Sequence, residues 1–373
     1  MKIDHVHFYV EDAVGTRDWF REKLGFQALF GGLNHHTRLE VVCQGDIIFV
    51  LSSPLTAYSP VAQFLAKHPP GVVDVALAVD NLADLVDHAT KLAPTLITPL
   101  QWDHQAEGNL AWSCLSAWGS LRHTLIERTG ETSLLPPTYT PGMRLTPNPS
   151  ALGTQERSLD VSSFLTRLDH VVLNVEAGQL KAATQWYQEI LGFRPGQTFD
   201  IQTAWSGLHS QVMEYPGSSV QIPINEPTSP TSQIQEFLNL NGGPGVQHIA
   251  LQTPDLVKTV NLLRQWGVCL LSVPMTYYTE LRKRPGFPLS EEKQQAIAAQ
   301  QILVDWQPES YPAVLFQTFT QPIFREPTFF FELIERQAIA LDQQVKQANG
   351  FGEGNFRALF EAIEREQRQR GTL

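Results

Sequence analysis

The stretches "PTFFFELIER" at 327–336 and "SLRHTLIER" at 120–128 share the four residues Leu-Ile-Glu-Arg. The residue before each copy differs, being Glu332 in the second and Thr124 in the first. If the match marks a duplicated unit, other segments should recur in the same order, and self-similarity is the first thing to seek in a chain. They do recur. "IDHVHFYVEDAVGTRDWFREKLGF" (3–26) aligns with "LDHVVLNVEAGQLKAATQWYQEILGF" (168–193), sharing Asp-His, a Trp-aromatic pair and Leu-Gly-Phe, and "GVVDVALAVDNL" (71–82) aligns with "GVQHIALQTPDL" (245–256).

Each matched segment opens on β-forming residues, as in "HVVLNV" and "HIALQT", which read as strands with a buried face. The first two pairs continue into helical periodicity. In "AATQWYQEILGF" the apolar spacing suits a short amphipathic helix, with Gly192 at the position of a C-terminal cap. The repeated pattern is strand, helix, then several strands. Two such units per half predict an α+β fold of tandem modules whose sheets curl into two open, barrel-like domains. Between the halves, 131–158 carries five prolines and little periodicity, which reads as an irregular linker. The boundary is placed near 150–160, giving domains of 1–150 and 151–373.

Composition narrows the function. The chain has 373 residues, 42% hydrophobic and 17% charged, enough for two cored domains. A net charge of −11 argues against a nucleic-acid partner, which requires clustered Lys and Arg. Cys43, Cys114 and Cys269 are odd in number and lack C-x-x-C spacing, so they read as free thiols in a reducing compartment. The N-terminus "MKIDHVHFYVED" has no signal-peptide pattern, and no apolar run approaches the ~20 residues of a membrane span. A cytoplasmic protein is expected.

The duplication serves as an internal control, because both halves share a fold while only one need keep a function. At the matched strand positions the second half has His170, His248 and Glu332, and the first has His5, Asp74 and Thr124. Two imidazoles and a carboxylate from different strands are the donor set of a mononuclear non-haem Fe(II) site. The first half, with threonine in place of the carboxylate, could not build it. A Glu inside "TFFFELI" is the strongest single clue, since a carboxylate buried among aromatics is costly unless paired or bound to a cation. The alternatives for Glu332 are an outward orientation or a buried pair with Arg336 or another base.

The second half resembles the 4-hydroxyphenylpyruvate dioxygenase family along roughly its whole length. The resemblance rests on "RLDHVVLNV", "SVQIPINEP", "SQIQEFL", "GPGVQHIAL", "ILVD", "LFQTFTQPIFREPTFFFELIER" and "GFGEGNFRALFEAIEREQ" in that order. The first half resembles the family's N-terminal domain more loosely. The resemblance implies βαβββ modules of the vicinal-oxygen-chelate type, with Fe(II) held by His170, His248 and Glu332. It also implies 4-hydroxyphenylpyruvate and O2 as substrates, homogentisate and CO2 as products, and a homodimer or homotetramer. Homogentisate would feed tyrosine breakdown or the synthesis of tocopherol-type quinones.

Carried over by motif, Ser210, Asn225, Gln233, Gln247 and Gln317 would orient the keto acid or ring hydroxyl. Phe319, Phe330, Phe351, Asn355, Phe356 and Phe360 would shape the ring pocket and its C-terminal lid. Several have plainer readings: Asn225 as a turn former, Ser210 as a polar strand residue, and Phe356 and Phe360, spaced i,i+4, as the apolar stripe of an ordinary amphipathic helix. The glycines of "GFGEGN" suggest a hinge before that helix. Gln247 reaches the face of His248 only if the strand is bulged there. The sequence departs from the family pattern in the proline-rich loop "WQPESYP" (306–312) and in Glu353.

Two further activities use the same scaffold. 4-Hydroxymandelate synthase would hydroxylate the benzylic carbon instead of the ring, and the "FQTF" wall favours ring attack. Extradiol ring-cleaving dioxygenases share the module and a His-His-Glu site but lack this glycine-rich lid. A reading of another class is a metal-free protein that sequesters an aromatic ligand, distinguished by an absence of stoichiometric iron and of oxygen uptake.

Overall fold

The computed structural model describes residues 1–92, 96–147, 163–203, 206–306, 313–341, 344–348 and 350–371, less the side chains of 339–341, 344–346, 356, 357, 359–362, 366, 369 and 370. The expected boundary at 150–160 and the loop after Trp306 lie outside the described residues. So do the side chains of Phe356 and Phe360.

The first sheet is built from β1 (Lys2–Tyr9), β2 (Gln27–Leu33), β3 (Thr37–Gln44), β4 (Ile47–Pro54), β5 (Gly71–Ala78), β6 (Leu96–Gln105), β7 (Gly108–Ser116), β8 (Arg122–Gly130) and β9 (Thr146–Pro147). Its order is β6-β7-β8-β5-β1-β4-β3-β2-β9. The second contains β10 (Arg167–Asn174), β11 (Arg194–Gln202), β12 (Gly207–Glu214), β13 (Gln221–Pro227), β14 (Gly245–Gln252), β15 (Leu303–Trp306), β16 (Val314–Phe319) and β17 (Phe330–Arg336), in the order β11-β12-β13-β10-β14-β17-β16-β15. A hairpin of β18 (Ala338–Leu341) and β19 (Gln344–Gln347) follows. The segment expected to be irregular contributes β9, which pairs with β2 at the sheet edge.

Each sheet is two βαβββ modules back to back. In the second, β10 and β14 run antiparallel at the centre, and each pairs in parallel with the last strand of its own module, β13 or β17. The first sheet repeats this with β1 and β5 at the centre and β4 and β8 outside them. The α+β architecture is therefore the one the sequence repeat predicts. Even the irregularities recur, since the β1–β5 and β10–β14 ladders each slip at two equivalent places.

One hydrophobic core spans the halves. Phe331 and Leu333 point away from Glu332 into it, and Phe331 stacks on Phe49 at 5.8 Å while Phe329 meets Phe8 at 5.2 Å. Alternation along β17 thus leaves Phe330 and Glu332 on the concave side. The helix Leu180–Leu191 ends at Gly192, whose φ of +75° suits glycine at that cap. No helix among the described residues is long and apolar enough to cross a membrane.

Candidate metal centre and its cavity

His170 comes from β10, His248 from β14 and Glu332 from β17, and all three side chains are buried. Their ligand atoms lie within 4.8 Å of one another. Pairing explains the convergence: His170 sits opposite Ala250 and Ala250 opposite Glu332, so three adjacent strands carry them in one row. Ala250 is small where a longer side chain would crowd both. His248 lies two residues along the same strand, stacked on the Phe330 ring at 4.8 Å.

Both imidazoles present Nε2 to Glu332 Oε2, at 3.3 Å from His170 and 3.7 Å from His248. Their other nitrogens face oxygen acceptors, Nδ1 of His170 meeting Asp169 Oδ1 at 2.9 Å and Nδ1 of His248 meeting Gln247 Oε1 at 3.2 Å. Donation from Nδ1 leaves the Nε2 lone pairs aimed at the centre, the tautomer a metal needs. Glu332 Oε1 accepts from Gln317 Nε2 at 2.9 Å.

The electrostatics mark the centre as short of positive charge. Burial alone would lower His170, but the Glu332 and Asp169 carboxylates more than offset it and push the imidazole up to about 9. His248 is held well below the ordinary histidine range by burial and then by His170. A cation shared by two Nε2 lone pairs and a carboxylate would take the place of the proton on His170, so the donor set fits a divalent transition metal.

The bulge required for Gln247 is present. Val172 pairs with His248 and Leu173 with Val246, leaving Gln247 as the extra residue, so it and His248 line the same cavity. That cavity, of about 70 Å³, brings together His170, His248, Glu332, Ser210, Asn225, Gln233, Gln247, Gln317, Phe319, Phe330 and Phe351. Ser210 and Asn225 are cross-strand partners, Asn225 donates to Asn174 at 3.2 Å, and Gln233 Oε1 is buried without a hydrogen-bond partner among the described residues. Asn355 lies behind the wall, donating to Gln317 Oε1 at 2.8 Å.

The sequence reading missed Val172, Phe199, Ile201, Leu208, Pro223, Ile234 and Ile363, which also line the cavity. Val172, Leu208 and Pro223 stand two residues from His170, Ser210 and Asn225, so extending each named position along its own strand face would have found them.

The paired βαβββ modules and the buried His-His-carboxylate centre define a class. Residues 167–284 match the model of the Glyoxalase/Bleomycin resistance protein/Dioxygenase superfamily. Along its length the chain is 36% identical to the 4-hydroxyphenylpyruvate dioxygenase of Yarrowia lipolytica, covering 99% of this chain and 93% of that protein. It is 34% identical to the enzyme of that name from Caenorhabditis elegans, with the same coverage. The chain belongs to the 4-hydroxyphenylpyruvate dioxygenase family and is an enzyme. Its fold also superposes, with a TM-score of 0.83 and 25% identity over 98% of each chain, on a triple mutant of 4-hydroxymandelate synthase from Streptomyces coelicolor.

Proposed function

We propose that this enzyme converts 4-hydroxyphenylpyruvate and O2 to homogentisate and CO2, with Fe(II) held by His170, His248 and Glu332. The observation that carries the reading is the convergence of those three donors at the wall of a cavity otherwise built from phenylalanine rings, aliphatic side chains and a few amides. What Fe(II) supplies when bound is one place where O2 meets the 2-oxo acid, so that decarboxylation provides the electrons for hydroxylation.

The chain's own residues do the rest. Asp169 and Gln247 hold the imidazoles in their ligating tautomer. Phe319 and Phe330 offer the ring an apolar wall, and Gln233, Asn225 and Ser210 offer hydrogen bonds that orient it. A dry cavity that holds benzene measures about 150 Å³, so about 70 Å³ is too small for an aromatic keto acid. The segment carrying Phe351 must therefore move outward for entry and return to exclude water. Gly350 and Gly352 both have positive φ there, and the long helix Glu353–Arg370 follows, in which Phe356 and Phe360 are proposed to meet the ring.

On the same reading, residues 1–150 are the module pair without a metal and 151–373 the catalytic pair, in a cytoplasmic homodimer or homotetramer. The product would feed tyrosine breakdown or tocopherol-type quinone synthesis. A second reading, benzylic hydroxylation to 4-hydroxymandelate, is favoured by the superposition on 4-hydroxymandelate synthase. Oxygen uptake by iron(II)-loaded protein given 4-hydroxyphenylpyruvate, with the aromatic product identified by chromatography and mass, decides between them. Homogentisate supports the first reading and 4-hydroxymandelate the second. Bound iron with no oxygen uptake would overturn both.

A further inference from the structure

The first-half sheet lines a second, half-open cavity, of about 280 Å³, that the proposed chemistry does not use. Asp74 and Thr124 line it at the positions where the second half has His248 and Glu332. Here the carboxylate is closed off by donors: Asp74 accepts from the Thr124 amide at 2.9 Å, the Thr124 hydroxyl at 2.5 Å and the Tyr139 hydroxyl at 2.8 Å. A carboxylate so satisfied has little use for a cation.

Arg122 has fewer hydrogen bonds, although the neighbouring Asp74 carboxylate balances part of its charge. It stands opposite Asp74 in the β5–β8 ladder and lines the cavity. Among the described residues its guanidinium has one hydrogen-bond partner, the neutral Tyr9 hydroxyl at 3.1 Å, with the Tyr9 ring 5.6 Å below. A guanidinium carries five N–H donors in a planar fork suited to a carboxylate. His7, which lines the same cavity and is only 5% exposed, engages Ser52 Oγ through Nε2 at 2.8 Å. Its Nδ1 is buried with no hydrogen-bond partner among the described residues. Protein interiors pair such groups; the guanidinium side chain lines the cavity, whereas Nδ1 of His7 is closed off from it.

We propose that this cavity is a second ligand site that binds a small organic carboxylate through Arg122, with the ligand's apolar part against Tyr9, Val61 and Ile97. Its volume exceeds the roughly 150 Å³ that accommodates benzene, so an aromatic acid fits. A metal ion is disfavoured by the cationic Arg122 and by the satisfied state of Asp74. The inference is independent of the reaction at the other centre.

The test is a benzoate titration of the iron-loaded protein, by calorimetry and ligand-observed NMR, with benzamide as the neutral isostere. Saturable binding of one benzoate is expected to survive in Glu332→Ala and to weaken by about tenfold or more in Arg122→Gln, with benzamide weaker by a similar factor, since the bonds are charge-assisted. Ile97 is half exposed at the cavity wall, so Ile97→Trp obstructs the space without removing a polar group. That variant should block binding and keeps the test decisive should Arg122→Gln fail to fold. Absence of saturable binding, binding that is lost in Glu332→Ala, or binding that persists in Ile97→Trp would overturn the proposal.

Discussion

Arg336 grips Asp169 through two hydrogen bonds, Nε to Oδ2 at 2.7 Å and Nη2 to Oδ1 at 2.6 Å. Asp169 in turn accepts from Nδ1 of His170, so the arginine of the repeated tetrapeptide fixes a candidate ligand from 166 positions away (336 − 170). The first half keeps the same chain of contacts, Arg128 to Asp4 to His5, although it has lost the carboxylate. Partners that orient a ligating histidine typically contribute 10–100-fold in metal affinity. Asp169→Asn is therefore expected to weaken Fe(II) binding by about that factor, whereas Asp4→Asn leaves it unchanged. Anaerobic competition with a chelator measures both, and equal losses would show that the effect is one of general stability.

Glu332→Ala should abolish stoichiometric iron while the apoprotein keeps its fold. Among the described residues the carboxylate accepts one side-chain amide bond, from Gln317, and otherwise faces the two imidazoles, so few hydrogen bonds depend on it. Metal at 100 times its dissociation constant adds about 2.7 kcal/mol to stability through linkage. The expected signature is a wild-type melting temperature that rises with Fe(II) and falls back with chelator, against a Glu332→Ala melting temperature indifferent to both. Retained iron-dependent turnover in the variant would sink the ligand assignment.

Why these three residues could be read from sequence, and others not, is a matter of what a repeat encodes. Duplication lines up strand positions, and alternation then sorts faces, which is enough to set Phe330 and Glu332 apart from Phe331 and Leu333. A bulge changes register without a distinctive residue type, so it is the ladder and not the residue types that puts Gln247 on the cavity side. Ile201 and Ile234 are illegible for another reason. Ile201 sits on the largely exposed edge strand β11 and Ile234 in the helix Gln233–Asn241, and nothing in an isoleucine says whether it faces a core or a ligand cavity. The second cavity has no motif at all, because Arg122 comes to stand beside Asp74 only through strand pairing.

Gln317 ties the candidate centre to the segment that leads into the C-terminal helix. Its Nε2 donates both to Glu332 Oε1 at 2.9 Å and to the Phe351 carbonyl at 2.8 Å, while its Oε1 accepts from Asn355. Gly352 packs so close that a Cβ there would fall 1.9 Å from Gln317 Oε1, at a φ of +78° that side chains rarely adopt. Gln317→Ala strands three buried polar partners, and hydrogen bonds involving a charged group contribute ~1.5–3 kcal/mol. A fall in kcat/KM of about 10–100-fold is expected, with a smaller change in iron affinity. Gly352→Ala should reproduce the kinetic loss and increase protease cleavage ahead of the C-terminal helix. Unaltered kinetics in both would show that closure does not pass through this amide.

The glutamate of the tetrapeptide has its own duplicated task. Glu335 Oε2 accepts from the Leu256 amide at 2.7 Å and Glu127 Oε2 from the Leu82 amide at 2.8 Å, each at the first residue of the helix after a central strand. A carboxylate suits a helix N-terminus, yet burial raises Glu335 above its ordinary value, with the Leu256 amide and Lys293 only partly compensating and Asp255 adding to the rise. A group whose folded pKa is raised binds its proton more tightly in the folded state. Its contribution to stability is complete below the unfolded value of about 4.3 and is lost as pH climbs through the folded value. Glu335→Gln keeps a carbonyl acceptor for Leu256 and removes the charge, so its melting temperature should match the wild type near pH 4 and exceed it at pH 7. A variant less stable than wild type at pH 7 would show that the ionised carboxylate, held by the helix end, outweighs its own burial.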